Sequence, residues 1–470
     1  MNISQLLAQH AVSTEAAGFD QWTLSRAKDR VLDSLGNIVI GRDAPGNAAA
    51  TGVYGAEGGL PEATVIGRGK RTGAANAAAL NALMQRSFDF EACGAEDSMQ
   101  RLHAGHASGS TFPTAFAVGE RQGASGADLL SALIVGDDIA TRVTIASGFN
   151  LEIGTDNTGI SNGFGCAATA GRLMGLDEKQ MIDGFGLVLN QLAGTIENIF
   201  DGAMAFKLPQ AMSARNAINS VDLAAAGFTG PHDPLGGRFG FFSLFGHATD
   251  TDALLHDLGE KFYGDKIIKP WSCCRLVQGP VEAATSIRER VDLDEIREVR
   301  VFAPQNVLQG FTAVPFVHGT STLESALFNM AICVALGLEF GEVRPELLTD
   351  DVLASSRLRR LHDRVRLVEL DSGHGKAMRL EVELNDGRIV AEAPATALGD
   401  IYANPLSREQ LLDKYYRNMS EGGVEREVAD QVRTLVEGLE SVGNVRVFGD
   451  LLIGQPVRAT DQPQLLTARP

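Results

Sequence analysis

The hydrophobic period of this chain first changes after Lys269, and that change limits its fold more than any other feature. Before it, apolar residues recur at helical spacing. Residues 23–40 place Leu24, Ala27, Val31, Leu32 and Leu35 on one face. Residues 74–84, 126–147, 166–174 and 178–192 continue the pattern, joined by connections rich in Gly, Asn and Asp, the usual chemistry of loops. TVIGRG, from Thr64, reads as a short strand; the rest of this region is expected to be helical. After Lys269 the run EIREVRVFAP, ending at Pro304, alternates as a strand does. Residues 377–393 are two alternating runs joined by Asn385, Asp386 and Gly387, which signals a hairpin. Helical segments are expected at 323–336 and 346–361, and helical periodicity returns from Ser407 through Leu411, Tyr415 and Val432 to Leu439. The expected fold class is therefore mainly α: a large all-helical domain (residues 1–266 and 405–470) and a smaller α+β domain (267–404).

Composition narrows the function classes. A chain of 470 residues is long enough for two domains, and 44% hydrophobic with 21% charged residues describes a globular protein. Its abundant Ala and Gly favour close helix–helix packing. No apolar run of about 18 residues predicts a membrane span. MNISQLLAQHAV at the N-terminus lacks the basic start and apolar core of a signal peptide, so a cytoplasmic location is expected. Five cysteines (Cys93, Cys166, Cys273, Cys274 and Cys333) are odd in number and unevenly spread, which suits a reducing compartment. A formal charge of −18 argues against a nucleic-acid partner, which needs a basic footprint. GLPEATVIGRGKRTG is Gly-rich but lacks the order of a phosphate loop, and no dinucleotide fingerprint stands in a strand–helix context. No cofactor is expected.

Chemistry concentrates between Arg86 and Pro113, in RSFDFEACGAEDSMQRLHAGHASGSTFP. Asp89 and Glu91 precede His103 and His106, and a run of Gly, Ala and Ser then leaves little bulk over the second imidazole. An imidazole beside a carboxylate suits proton transfer, because its unperturbed pKa lies near ~6.5 and the carboxylate fixes its tautomer. The competing reading is a helix cap with two surface histidines. His103 and His106 are three apart and could share a helix face with Asp89 or Glu91 near a metal, but no HExxH or Cys/His framework supports that, and no metal is expected. The adjacent Cys273 and Cys274 read as buried small hydrophobes.

DFE followed by HASGSTFP resembles the aspartate loop and histidine segment of the MmgE/PrpD family, which includes 2-methylcitrate dehydratases, cis-aconitate decarboxylases and an iminodisuccinate epimerase. Further resemblances follow in that family's order: GFGCAATAGRLMGL from Gly163, FKLPQAMSARNAINS around Lys207, GFTGPHDPLGGRFGFF from Gly227, and IIKPWSCCR from Ile267. Together they cover nearly the whole chain. The resemblance implies a cleft between the domains, a homodimer, and a small polycarboxylate substrate. It carries Asp89, His106, Lys207 and Lys269 over as active-site positions. Cations inside the motif segments, Lys207, Arg215, Lys269 and Arg275, are candidates to draw an anion against the acidic global field.

Departures from the family shape the expected chemistry. Where the resemblance implies a histidine upstream of the small-residue helix, this chain has Asp156 or Asn157. Where it implies one after Lys269, this chain offers Cys274 or Gln278, and a family tyrosine falls near Ile332. Epimerisation needs one group to remove an α-proton and another to return it, with donors on the developing aci-carboxylate. The expectation is therefore an epimerase of an amino- or imino-polycarboxylate such as iminodisuccinate. A 2-methylcitrate-type dehydratase or cis-aconitate-type decarboxylase is the alternative. Lys207 and His106 are the expected acid–base pair, with Asp89 orienting the imidazole. Lys269, Arg275, Gln278 and His103 are the expected substrate-binding residues. A catalytically dead helical scaffold would have no use for Asp89, His106 and Lys207 together.

Overall fold

The computed structural model describes residues 1–149, 154–370 and 378–454. Ala377, where the expected hairpin run begins, and residues 455–470 of the C-terminal segment lie outside the described residues. The chain is mainly α, and the predicted helices form within a few residues of their expected bounds: Gln21–Gly41, Ala74–Arg86, Gly126–Ala146, Asn162–Met174 and Glu178–Leu189. Local chemistry starts them. The Asp20 carboxylate accepts from Thr23 N at 2.7 Å, and Ser125 with Asp128 forms a capping box before Gly126.

Small residues then let these helices cross closely. A Cβ on Gly136 would lie 1.9 Å from Thr169 Oγ1, and one on Gly41 would lie 1.8 Å from the Met84 carbonyl oxygen. Neither position tolerates a side chain.

The expectation of an all-helical region before Lys269 needs correction. A two-stranded ribbon pairs β1 (Ala63–Val65) with β2 (Lys70–Thr72) antiparallel, as TVIGRG suggested in part. A three-stranded sheet then joins β3 (Cys93–Glu96), β4 (Leu102–His103) and β5 (Asp265–Ile267) in the order β4-β3-β5. These strands span two to four residues, too few for alternation to register as a pattern.

After this sheet, β6 (Ile296–Ala303) lies between β7 (Val365–Glu369), which runs parallel to it, and β8 (Arg379–Leu384); β9 (Ile389–Glu392) closes the predicted hairpin. The helix expected over 323–336 is two, because Asn329 leaves helical geometry, donates to Val314 O at 2.6 Å and caps the next helix by accepting from Ile332 N at 2.9 Å. The helix expected over 346–361 breaks into the short turns Pro345–Leu347 and Asp350–Leu353 and the helix Ser356–His362.

Buried apolar side chains form two clusters. One gathers the N-terminal helices with Leu411, Tyr415, Val432 and Leu452 of the C-terminal segment. The other gathers Val299, Val301, Leu380 and Val382 of the second sheet with the helices on it, and with Ile196, Ile199 and Phe206. Among the described residues no helix is long and apolar enough to cross a membrane.

Candidate active site

A cleft opens where the two clusters meet. Arg86, Asp89 and His106 reach it from the first, and Ile196, Ile199, Phe311 and Phe328 wall it from the second. Asp156, Asn157, Cys274 and Arg275 complete the polar lining of a narrow cavity of about 50 Å³.

The turn after the Ala74–Arg86 helix sets the geometry. Asp89 adopts a left-handed conformation, φ 46°, which costs roughly 1–2 kcal/mol for a residue with a Cβ. The turn presents both the Asp89 carbonyl and its carboxylate to Lys269, at 2.6 and 2.9 Å from Nζ. Strand β3 begins four residues on, and its pairing with β5 at Cys93 and Ile267 delivers Lys269. Arg86 Nη1 reaches Asp89 at 2.5 Å, contacts Glu91 as well, and lies 3.2 Å from His106 Nδ1.

His106 Nδ1 is 2.9 Å from Glu91 Oε1. Although burial alone would raise Glu91, the charges of Arg86 and then Lys269 hold it well below the carboxylate range. An ionised carboxylate only accepts, so Nδ1 carries the proton and Nε2 the lone pair. Burial, then the Arg86 charge, lowers the imidazole pKa against the pull of Glu91, which favours the neutral ring.

The backbone at His106 is pinned from two sides. Asn162 donates to its carbonyl at 2.7 Å, and Asp265 of β5 accepts from Ala107 N at 3.0 Å and Ser108 N at 2.8 Å, capping the Ser108–Gln122 helix. Burial, then the neighbouring Asp137, pushes the Asp265 carboxyl up to about 7.

Asp89, Glu91 and His106 each offer a ligand atom within 4.8 Å of one another, a donor set of the type that holds a divalent ion. The Arg86 guanidinium already stands among them and supplies the positive charge. These residues therefore fit an arginine-filled cluster better than a metal site.

The sequence-predicted residues divide. His106, Asp89 and Arg275 line the cleft. Arg275 makes no ion pair within 4 Å among the described residues and opens the Arg275–Arg288 helix, whose N-terminus carries positive dipole charge. The expected role of Asp89 passes to Glu91, which orients the imidazole, while Asp89 holds Lys269 and Arg86. Lys269 is fully buried; against the downward pull of burial, Asp89 and Glu91 hold its ammonium above the ordinary lysine value. Its charge is spent on Asp89, not left for a substrate.

Lys207 does not line the cleft. It ends the Met204–Lys207 turn and donates to Pro45 O at 2.6 Å, while its neighbour Phe206 packs under Arg86. Gln278 is held by Trp271 O at 3.0 Å and Cys273 O at 2.8 Å, away from the lining. His103 sits 3.0 Å from Asp97 in a separate surface depression. Arg215 pairs with Glu57 at 2.8 Å.

Arg86 and Asp265 escaped sequence reasoning. An arginine ending a helix just before two acids was the available signal for Arg86; nothing local pointed to Asp265.

Residues 5–253 match the MmgE/PrpD N-terminal domain and residues 271–440 the MmgE/PrpD C-terminal domain. The chain belongs to the MmgE/PrpD family, a family of enzymes. It is 25% identical over 469 residues to a cis-aconitate decarboxylase of Aspergillus terreus, covering 91% of each chain. A cis-aconitate decarboxylase of Aspergillus terreus strain NIH 2624 / FGSC A1156 is likewise 25% identical over 470 residues, with 91% of each chain covered.

Proposed function

We propose that the chain is an acid–base enzyme of a small polycarboxylate, and that its chemistry is of the lyase type. The observation that carries this is the His106 ring, tied through Nδ1 to Glu91, in a cleft that also holds Arg275, which has no ion-pair partner among the described residues. The Nε2 lone pair takes a proton from a carbon beside a carboxylate. Arg275 and the helix N-terminus behind it hold that carboxylate as charge moves onto it. Asn157 adds a donor: its Nδ2 is buried without a hydrogen-bond partner among the described residues, in a residue that lines the cleft. Loss of a hydroxide from the neighbouring carbon then completes a dehydration. Decarboxylation, the activity named for the relatives, runs the proton the other way; His106 must first be charged, which bound carboxylates promote by raising its pKa.

An epimerase shares the first step, and one observation favours it as a second reading. Asn157 and Cys274, standing where the family resemblance implies histidines, both line the cleft, so proton carriers are few. Inversion needs a second carrier on the opposite face. The Cys274 thiol, which burial pushes up to about 12, holds the required proton. The division into a helical domain and an α+β domain at residues 267 and 405 is also proposed, and the two apolar clusters support it.

Proton NMR in deuterium oxide separates the readings, with 2-methylcitrate, cis-aconitate and iminodisuccinate stereoisomers offered separately. A new vinylic signal or released carbon dioxide is expected. Deuterium at the α-position with interconversion of isomers, and no olefin or gas, overturns the lyase reading. His106→Asn is expected to lower kcat by about 10²–10⁴-fold. For proton abstraction, kcat/KM falls as pH drops through the His106 pKa, so the acid limb lies below the ordinary imidazole value. A profile falling with rising pH through that range marks a charged-ring decarboxylase instead.

A further inference from the structure

A second convergent cluster lies outside the cleft. His318 Nε2 is 3.0 Å from His362 Nδ1, and Asp363 Oδ1 is 3.9 Å from the same His362 nitrogen. The three residues each offer one ligand atom, all within 4.8 Å of one another. We propose that His318, His362 and Asp363 bind one divalent transition ion of the zinc type, with water in the fourth position.

The orientation of His318 supports this first. Its Nδ1 is 2.8 Å from Leu353 O, and a carbonyl only accepts, so Nδ1 keeps its proton and Nε2 directs a lone pair at the cluster. A histidine ligand is commonly oriented by a backbone carbonyl in this way. The tight turn around His318 prepares the site. Ser321 N donates to Val317 O at 2.9 Å, and Ser321 Oγ accepts from Val317 N at 2.9 Å. The Phe316 ring packs edge-on against both imidazoles.

Spacing and charge agree. Two nitrogens on a tetrahedral zinc ion stand about 3.3 Å apart, for bonds of about 2.0–2.1 Å, so the pair needs to part by only a few tenths of an ångström. The ion replaces the Nδ1 proton that His362 donates to His318, and that proton moves to Nε2 of His362. Among the described residues, no lysine or arginine lies within 4 Å of the Asp363 carboxylate, in contrast to Arg86 inside the cleft cluster. Two imidazole nitrogens and one carboxylate select zinc-like ions over magnesium or calcium, which prefer all-oxygen sites. The ion would tie the segment between Phe311 and Phe328, both cleft-lining residues, to the end of the Ser356–His362 helix.

Tag-free protein stripped with chelator and titrated with Zn²⁺ against a chromophoric competitor tests the site. One Zn²⁺ per chain is expected, with Co²⁺ giving visible ligand-field bands. The His318→Gln/His362→Gln variant should bind more than about 100-fold more weakly, a loss beyond that of an outer-shell change, and His106→Asn should bind as the parent does. No stoichiometric uptake by the parent, unchanged uptake by the double variant, or loss in His106→Asn overturns the proposal. Should circular dichroism show the double variant unfolded, the exposed Asp363→Asn decides: about tenfold weaker uptake is expected, and no change overturns the ligand set.

Discussion

Lys269 and Lys207 are both buried, at 0% and 2% exposure, yet their surroundings leave them in different states. Lys269 meets a carboxylate, and its ammonium is held above the ordinary lysine value. Among the described residues Lys207 meets only the Pro45 carbonyl and the Asn47 amide oxygen at 3.4 Å; burial pushes it down to about 8, with Glu324 pulling the other way. Burial penalises both charges, so the partner decides how firmly each proton is held. The first is a structural cation locked into the Asp89 turn. The second is a lysine poised near neutrality, but on a face that does not line the cleft.

The sharpest way to break this comparison is Lys269→Met. It leaves the Asp89 carboxylate to Arg86 alone and removes the partner of a left-handed carbonyl, at an expected cost of about 3 kcal/mol in urea unfolding. A loss below 1 kcal/mol would show that the pair does not hold the turn.

Lys207→Met is expected to act through pH. In the parent, Lys207 is charged in both states below about 8; as pH rises from there towards the unfolded value of 10.5, only the unfolded chain keeps the proton. Stability therefore gains up to about 3 kcal/mol from this group across that window, and the variant lacks the gain. Lys269 has the opposite sign: its contribution is fully present below 10.5 and is lost as pH rises through its higher folded value. Parallel pH–stability curves for Lys207→Met and its parent would contradict the assignment.

With neither lysine free for substrate, Arg275 is the expected carboxylate anchor. Arg275→Gln should raise KM about 10–100-fold with little change in stability, the scale of one charged hydrogen bond. The smallest effect is expected at His103→Asn, within twofold in kcat/KM, because His103 faces Asp97 rather than the cleft.

His103 and His106 also show how far a motif reads. Both stand in the stretch that the sequence marks as chemically rich, and the family resemblance selected the one that lines the cleft. Legibility fell where pairing spans long separations. Asp89 and Glu91 are two residues apart, and spacing alone favours neither as the partner of His106. The left-handed turn decides it by directing Asp89 towards Lys269, 180 residues away, which leaves Glu91 for the imidazole. Gln278 looked available for the same reason: its partners, Trp271 O and Cys273 O, are backbone atoms that no side-chain pattern reveals.

By itself the sequence determined the succession of helices and the hairpin around Asn385–Gly387, because periodicity and capping are local properties that neighbouring residues enforce. It also determined where the acid–base residues concentrate. Tertiary structure decided the short β3–β5 sheet, the Asp265 cap on the helix after His106, and the partner of each buried charge. Those outcomes depend on desolvation and on contacts between distant segments, so they exist only once the chain has closed around them.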